Sequence, residues 1–127
     1  MDILSLIYNA LIADQYIKDQ AYGRIKYYEY PETGDVKAPF IIIDLLDAPS
    51  PSDFADDTWL SYDCLFQIEV WSPNRVVTNT IADKIRNVMW NQFGFKQQSG
   101  PQEYKEGVFR DARRYRGTIY RNDLDGL

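Results

Sequence analysis

Hydrophobic positions in this chain change period several times, and each change marks an element. Ile3, Ile7 and Leu11 recur every four residues, with Leu4, Tyr8 and Ile12 widening the same face. That spacing predicts an amphipathic helix over about 3–13, capped by Asp2. "GRIKYYEYPETG" predicts a strand over 24–30, stopped by Pro31 and the turn residues up to Gly34. "FIIIDLLD", 40–47, is nearly all apolar and predicts a strand in the sheet interior. "APSPSDFADD", 48–57, is rich in proline, serine and aspartate and predicts a long exposed loop.

The next stretch, "TWLSYDCLFQIEVW" at 58–71, alternates: Phe66, Ile68 and Val70 against Gln67, Glu69 and Trp71. It predicts the longest strand, with one buried face and one polar, aromatic face. The period then returns to helical, with Val77, Ile81, Ile85, Val88 and Met89 on one side. Ser72 as cap, Pro73 in the first turn and Gly94 at the end bound a second helix over about 73–92. A turn-rich stretch with room for one short strand, 95–105, leads to "VFRDARRYRGTIY", 108–120, expected to be the last strand.

The order α-β-β-β-α-β, with three strands in succession, predicts antiparallel neighbours. The expected fold is α+β: a mostly antiparallel sheet of four to five strands, with two amphipathic helices packed on one face. The expected domain is 1–121, followed by a polar tail, 122–127. A length of 127 residues suits one domain with a sufficient core.

Charge adds a contrast. The chain has formal net charge -5, yet residues 103–121 carry six basic and three acidic side chains. An acidic chain is a poor non-specific ligand for nucleic acid, although a local patch can still bind phosphates. On a strand, Arg110, Arg114 and Arg116 share one face, and Arg113 and Arg121 the other. A groove tracking a nucleic-acid backbone would gather these arginines together. The divided pattern favours cross-strand pairing with Glu69, Asp63 or Glu29, or with acidic groups of a neighbouring subunit. Direct nucleic-acid contact is the alternative.

Catalytic signals are sparse. The chain has no histidine, which removes the commonest general base and metal ligand. Cys64 is the only cysteine and falls inside a predicted strand, where a thiol acts as a small hydrophobe. An unpaired cysteine fits a reducing compartment. Asp53, Asp56 and Asp57 cluster but lack calcium-loop spacing. A solvated acidic loop is the favoured reading, with ion binding or repulsion of a polyanion as alternatives. No phosphate-binding glycine loop, nucleophile elbow, secretory signal or membrane span is expected.

Four stretches carry a family resemblance: "DILSLIYNAL", "RIKYYEYPETGDVKAPFIIIDLLD", "YDCLFQIEVWSPNRVVTNTIADKIRNVMW" and "VFRDARRYRGTIYR". Together they resemble the small tail completion proteins, or tail terminators, of long-tailed bacteriophages and prophages. The resemblance covers nearly the whole chain and rests on element order and local strings, not on a catalytic motif. It implies a non-enzymatic virion protein without cofactor or metal, assembled in the bacterial cytoplasm as a homo-oligomeric ring, usually of six subunits. Such a ring sits at the head–tail junction. It stops tail-tube growth, meets the tail-tube protein on one side and a head connector or stopper on the other, and lets DNA pass without specific binding. Asp53, Asp56, Asp57, Arg110, Arg113, Arg114 and Arg116 are then candidate subunit or lumen contacts. The competing readings are a neighbouring adaptor, stopper or tube protein, a small nucleic-acid-binding module, and a carboxylate enzyme.

Overall fold

The computed structural model describes the chain from Asp2 to Asp125, with side chains described through Asp123. The architecture is α+β, built on a six-stranded, mostly antiparallel sheet. Helix α1 (Ile3–Ala13) starts where expected, and the Asp2 side chain accepts from the Leu4 N–H. A short helix, α2 (Gln15–Ala21), follows, capped by Asp14 and burying Ile17 and Ala21. Strand β1 (Ile25–Tyr27) runs parallel to β2 (Phe40–Ala55). Strand β3 (Thr58–Ser72) pairs antiparallel with β2 along nearly its whole length.

Helix α3 (Arg75–Phe93) covers the sheet. Strands β4 (Lys96–Gln98) and β5 (Gln102–Lys105) both pair with β6 (Val108–Tyr120). A short helix, α4 (Arg121–Asp125), occupies most of the expected polar tail; residues 126 and 127 of that tail lie outside the described residues. The strand order is β1-β2-β3-β6-β4, with β5 on β6 beside β4.

Register divides the sheet into two faces. Ile41 and Val70, Ile43 and Ile68, Leu45 and Phe66, and Phe66 and Tyr115 are cross-strand partners on the inner face. Helical residues Ile7, Leu11, Ile17, Ile81, Ile85 and Met89 complete this core. Phe95 also enters it, and Gly117 makes room: a Cβ there would overlap the Phe95 ring.

Four expectations need correction. The exposed loop at 48–57 is the outer half of β2. It forms a hairpin with β3 that ends in a tight turn at Asp56 and Asp57, with φ of 51° and 63°. Positive φ at both central residues suits the twist of a two-residue hairpin, and aspartate tolerates it better than most residues. Pro49 and Pro51 are accommodated because β1 covers only Ile41–Ile43 of β2, so its outer edge carries no further strand beyond that point.

The second helix begins later than expected, with Asn74 as its cap. Its Oδ1 accepts from the Val77 N–H at 3.0 Å, while Ser72 Oγ accepts from the Asn74 N–H at 3.0 Å. Pro73 keeps Ser72 extended, which moves the cap two residues on. The expected strand over 24–30 is cut short at Tyr27 because Tyr28 adopts a φ of 67°. The single strand allowed at 95–105 is two strands, separated at Gly100 and Pro101, so the sheet has six strands and not four or five.

Candidate assembly surface

The second sheet face is not covered by α1, α2 or α3, and register orders it in rows. Phe40, Trp71, Arg110 and Glu103 form one row across β2, β3, β6 and β5. Tyr30 stacks on Phe40 with ring centroids 3.9 Å apart, and Arg110 lies over the Trp71 ring at 5.4 Å. Arg110 donates from Nε to Glu69 at 2.6 Å and from Nη1 to Glu103 at 2.8 Å. Two charge-assisted bonds and an aromatic face hold this guanidinium in place.

Past the row of Ile42, Glu69 and Ala112, the following rows place Asp44 beside Gln67, Arg114 and Gln98, then Asp47 beside Leu65, Arg116 and Lys96. Arg114 donates to Gln67 Oε1 at 3.3 Å, and Arg116 to Asp63 at 3.2 Å. Arg114 and Arg116 are both exposed. Asp44 is half-buried near Glu69. Burial, the hydrogen bond to Glu69 and the Glu69 charge push its carboxyl up to about 6, against the pull of Arg110.

Arg113 belongs to the inner face. Its Nη1 meets Asp83 of α3 at 2.9 Å, and its Nε meets the buried Asp111 at 3.0 Å. Burial would pull this guanidinium down, but the Asp83 hydrogen bond and the Asp111 charge outweigh it and hold it above its ordinary value. Arg121 donates to Thr58 Oγ1 at 2.7 Å and covers the Trp59 ring at 4.5 Å.

The seven candidate residues therefore fall into three groups. Arg110, Arg114 and Arg116 form a column on the uncovered face, as alternation requires. Arg113 is engaged by Asp111 and Asp83 of its own chain. Asp53, Asp56 and Asp57 lie far from both, at the hairpin end; there Ser61 Oγ hydrogen-bonds Asp53. Cross-strand pairing with Glu69 and Asp63 is present, and among the described residues Glu29 takes no part in it.

Sequence reasoning missed Asp44, Asp83, Lys96 and Glu103 as members of these networks. Asp44 carried a readable signal, as the one charge within "FIIIDLL". The others depend on pairings that only the register supplies.

Reactive chemistry is weak across the described residues. Burial pushes the Cys64 thiol up to about 11, which keeps it protonated and unreactive. Among the described residues no group of three or more His, Cys, Asp or Glu could hold a metal ion. None of the described helices is long and apolar enough to cross a membrane. A cleft of about 480 Å³, lined in part by Leu6, Phe93, Ile119 and Tyr120, brings together no pair of opposed acid and base groups.

No family model and no curated relative matches the chain. Among solved structures, it superposes on a chain from one described as "Virion of native gene transfer agent (GTA) particle". The TM-score is 0.65 at 15% identity, covering 90% of this chain and 91% of that chain. This is a likeness of fold.

Proposed function

We propose that the protein is a virion structural component, and that within the virion it is a tail terminator. In this reading about six copies close into a ring by head-to-tail contacts at the head-proximal end of a tail. The ring ends tube growth, receives the head connector or stopper, and lets DNA pass through its lumen. Assembly takes place in the host cytoplasm. The observation that carries the reading is a fold shared over 90% of the chain with a chain of a gene transfer agent virion. The uncovered, charge-bearing sheet face supplies surface for assembly, and net charge -5 disfavours adhesion to passing phosphates. The inert Cys64 and the absence of histidine give no support to an enzyme.

A second reading draws on the same observation. The description of the matched structure names a virion and no position within it. An adaptor, stopper or tube protein would suit it too. Interruption of the gene separates them. Loss of a terminator leaves filled heads beside unjoined tails of irregular length in electron micrographs of lysates. Loss of a tube protein leaves no tails, and loss of an adaptor or stopper leaves tails of normal length. Normal infectious particles would contradict all of these readings.

A further inference from the structure

The β2–β3 hairpin extends past the body of the sheet. β6 ends its pairing with β3 at Tyr120 opposite Ser61, so beyond that row the hairpin has, among the described residues, no strand on the β6 side; Arg121, at the start of α4, meets it at Thr58 and Trp59. Phe54 is 72% exposed and Leu60 52% exposed on this overhang. Phe54 pairs with Trp59, so Leu60, one residue further along the strand, points to the opposite face. The hairpin is also of one sign. Residues 38–74 contain no lysine or arginine, and seven aspartates or glutamates.

Among the described residues, the hairpin acids that form ion pairs are the proximal ones. Glu69 is held by Arg110 and Asp63 by Arg116. Among the described residues, Asp53, Asp56 and Asp57 have no ion-pair partner.

Unused base lies elsewhere on the uncovered face. Arg116 and Lys96 are cross-strand partners beside the partly exposed Leu65, and Arg114 lies one row away. Among the described residues Arg114 and Lys96 have no carboxylate partner, and the Arg116–Asp63 pair is exposed, at 45% and 41%. The hairpin cannot fold back to this patch. About seven strand residues separate its turn from the Leu65 row, on the order of 25 Å of rigid ladder.

We propose that the hairpin end of one copy docks on the Lys96, Arg114 and Arg116 patch of a second copy. Asp56 and Asp57 of the donor meet the basic groups, and Phe54 packs over Leu65 of the recipient. The contact joins two different surfaces, so every copy can be donor and recipient at once. Like the charges inside each subunit, it pairs acids of the hairpin with bases of β6 and its neighbour. The inference rests on the ring proposed above and specifies which surfaces form it.

Two measurements at low salt and high protein concentration test it. The first mixes A55C chains with Q98C chains under mild oxidation. Both substitutions keep every charge, and the native Cys64 is buried. A mixed disulfide should form about tenfold faster than between A55C and the helix-surface control K84C. Wild-type chains that associate while A55C and Q98C fail to link would overturn this contact and leave the ring standing. Wild-type chains that stay monomeric would count against both.

The second measurement is charge exchange read by sedimentation. D56R/D57R and R114E/R116E should each weaken self-association about tenfold, and the chain carrying all four changes should recover it. Failure of the combined chain to recover would overturn the proposal. So would R114E/R116E losing DNA binding while associating normally, which would make the patch a phosphate site.

Discussion

Arg110 on β6 and Glu69 on β3 lie one row apart on the uncovered sheet face, joined Nε to Oε1 at 2.6 Å, with 22% and 9% of their side chains exposed. Arg116 and Asp63 make the same kind of pair further along the same two strands, at 3.2 Å, with 45% and 41% exposed. The difference in burial decides their worth. A charge left alone in a dry site is costly, whereas one left alone in water is not. Arg110→Ala should lower the unfolding free energy by about 3 kcal/mol. Arg116→Ala should lower it by less than about 1 kcal/mol. Urea denaturation of the two variants checks the contrast, and equal losses would contradict it.

Asp44 predicts a pH dependence. Its folded carboxyl is pushed up to about 6, first by burial and then by Glu69, while an unfolded aspartate titrates near 3.9. The folded chain therefore binds this proton more tightly. The stability that protonation supplies is fully present below about pH 4 and is lost as pH rises through about 6. Asp44→Asn removes the charge at every pH. It should raise stability at pH 7 by about 1–2 kcal/mol, a figure reduced for partial solvent screening, and by almost nothing at pH 4. Paired unfolding curves at the two pH values read this directly.

The turn at Asp56 and Asp57 gives a local test. Both residues hold positive φ, which asparagine and glycine adopt at lower cost. Replacing the pair by Asn and Gly should stabilise the monomer by about 0.5–1 kcal/mol. If the hairpin end meets a second copy, the same change should weaken association. Stability and assembly would then move in opposite directions, which simple damage to the fold cannot produce.

Gly117 stands opposite Cys64 on β6, against Phe95. Gly117→Ala pushes a methyl into that ring and should cost about 1–3 kcal/mol. Ala112, on the same strand, is fully buried, and Ala112→Gly should cost less, because it adds no bulk. Thermal unfolding of both variants distinguishes overpacking at Gly117 from a general sensitivity of β6.

Much of the fold was legible because the periods were clean. Ile3, Ile7 and Leu11 marked α1, Ile81 and Ile85 marked α3, and alternation from Phe66 to Val70 marked the buried side of β3. The same alternation placed Arg110, Arg114 and Arg116 on one face. The outer half of β2 was not legible, because Pro49, Pro51 and the serines carry a loop composition. The hairpin there is sustained by pairing with β3 and by a turn that tolerates aspartate. The Asp83–Arg113 and Arg110–Glu103 contacts were hidden for a different reason. They join residues thirty apart and across a split strand, which local pattern does not encode.

The proposed function makes this chain a tail terminator. Cryo-electron microscopy of phage-like particles isolated from cells that carry this gene examines that reading. A terminator would appear as one closed ring of this chain at the head-proximal end of each tail, with the β2–β3 hairpin of each copy on the β6 face of the next. The chain repeated along the tail tube, or absent from the particle, would contradict it.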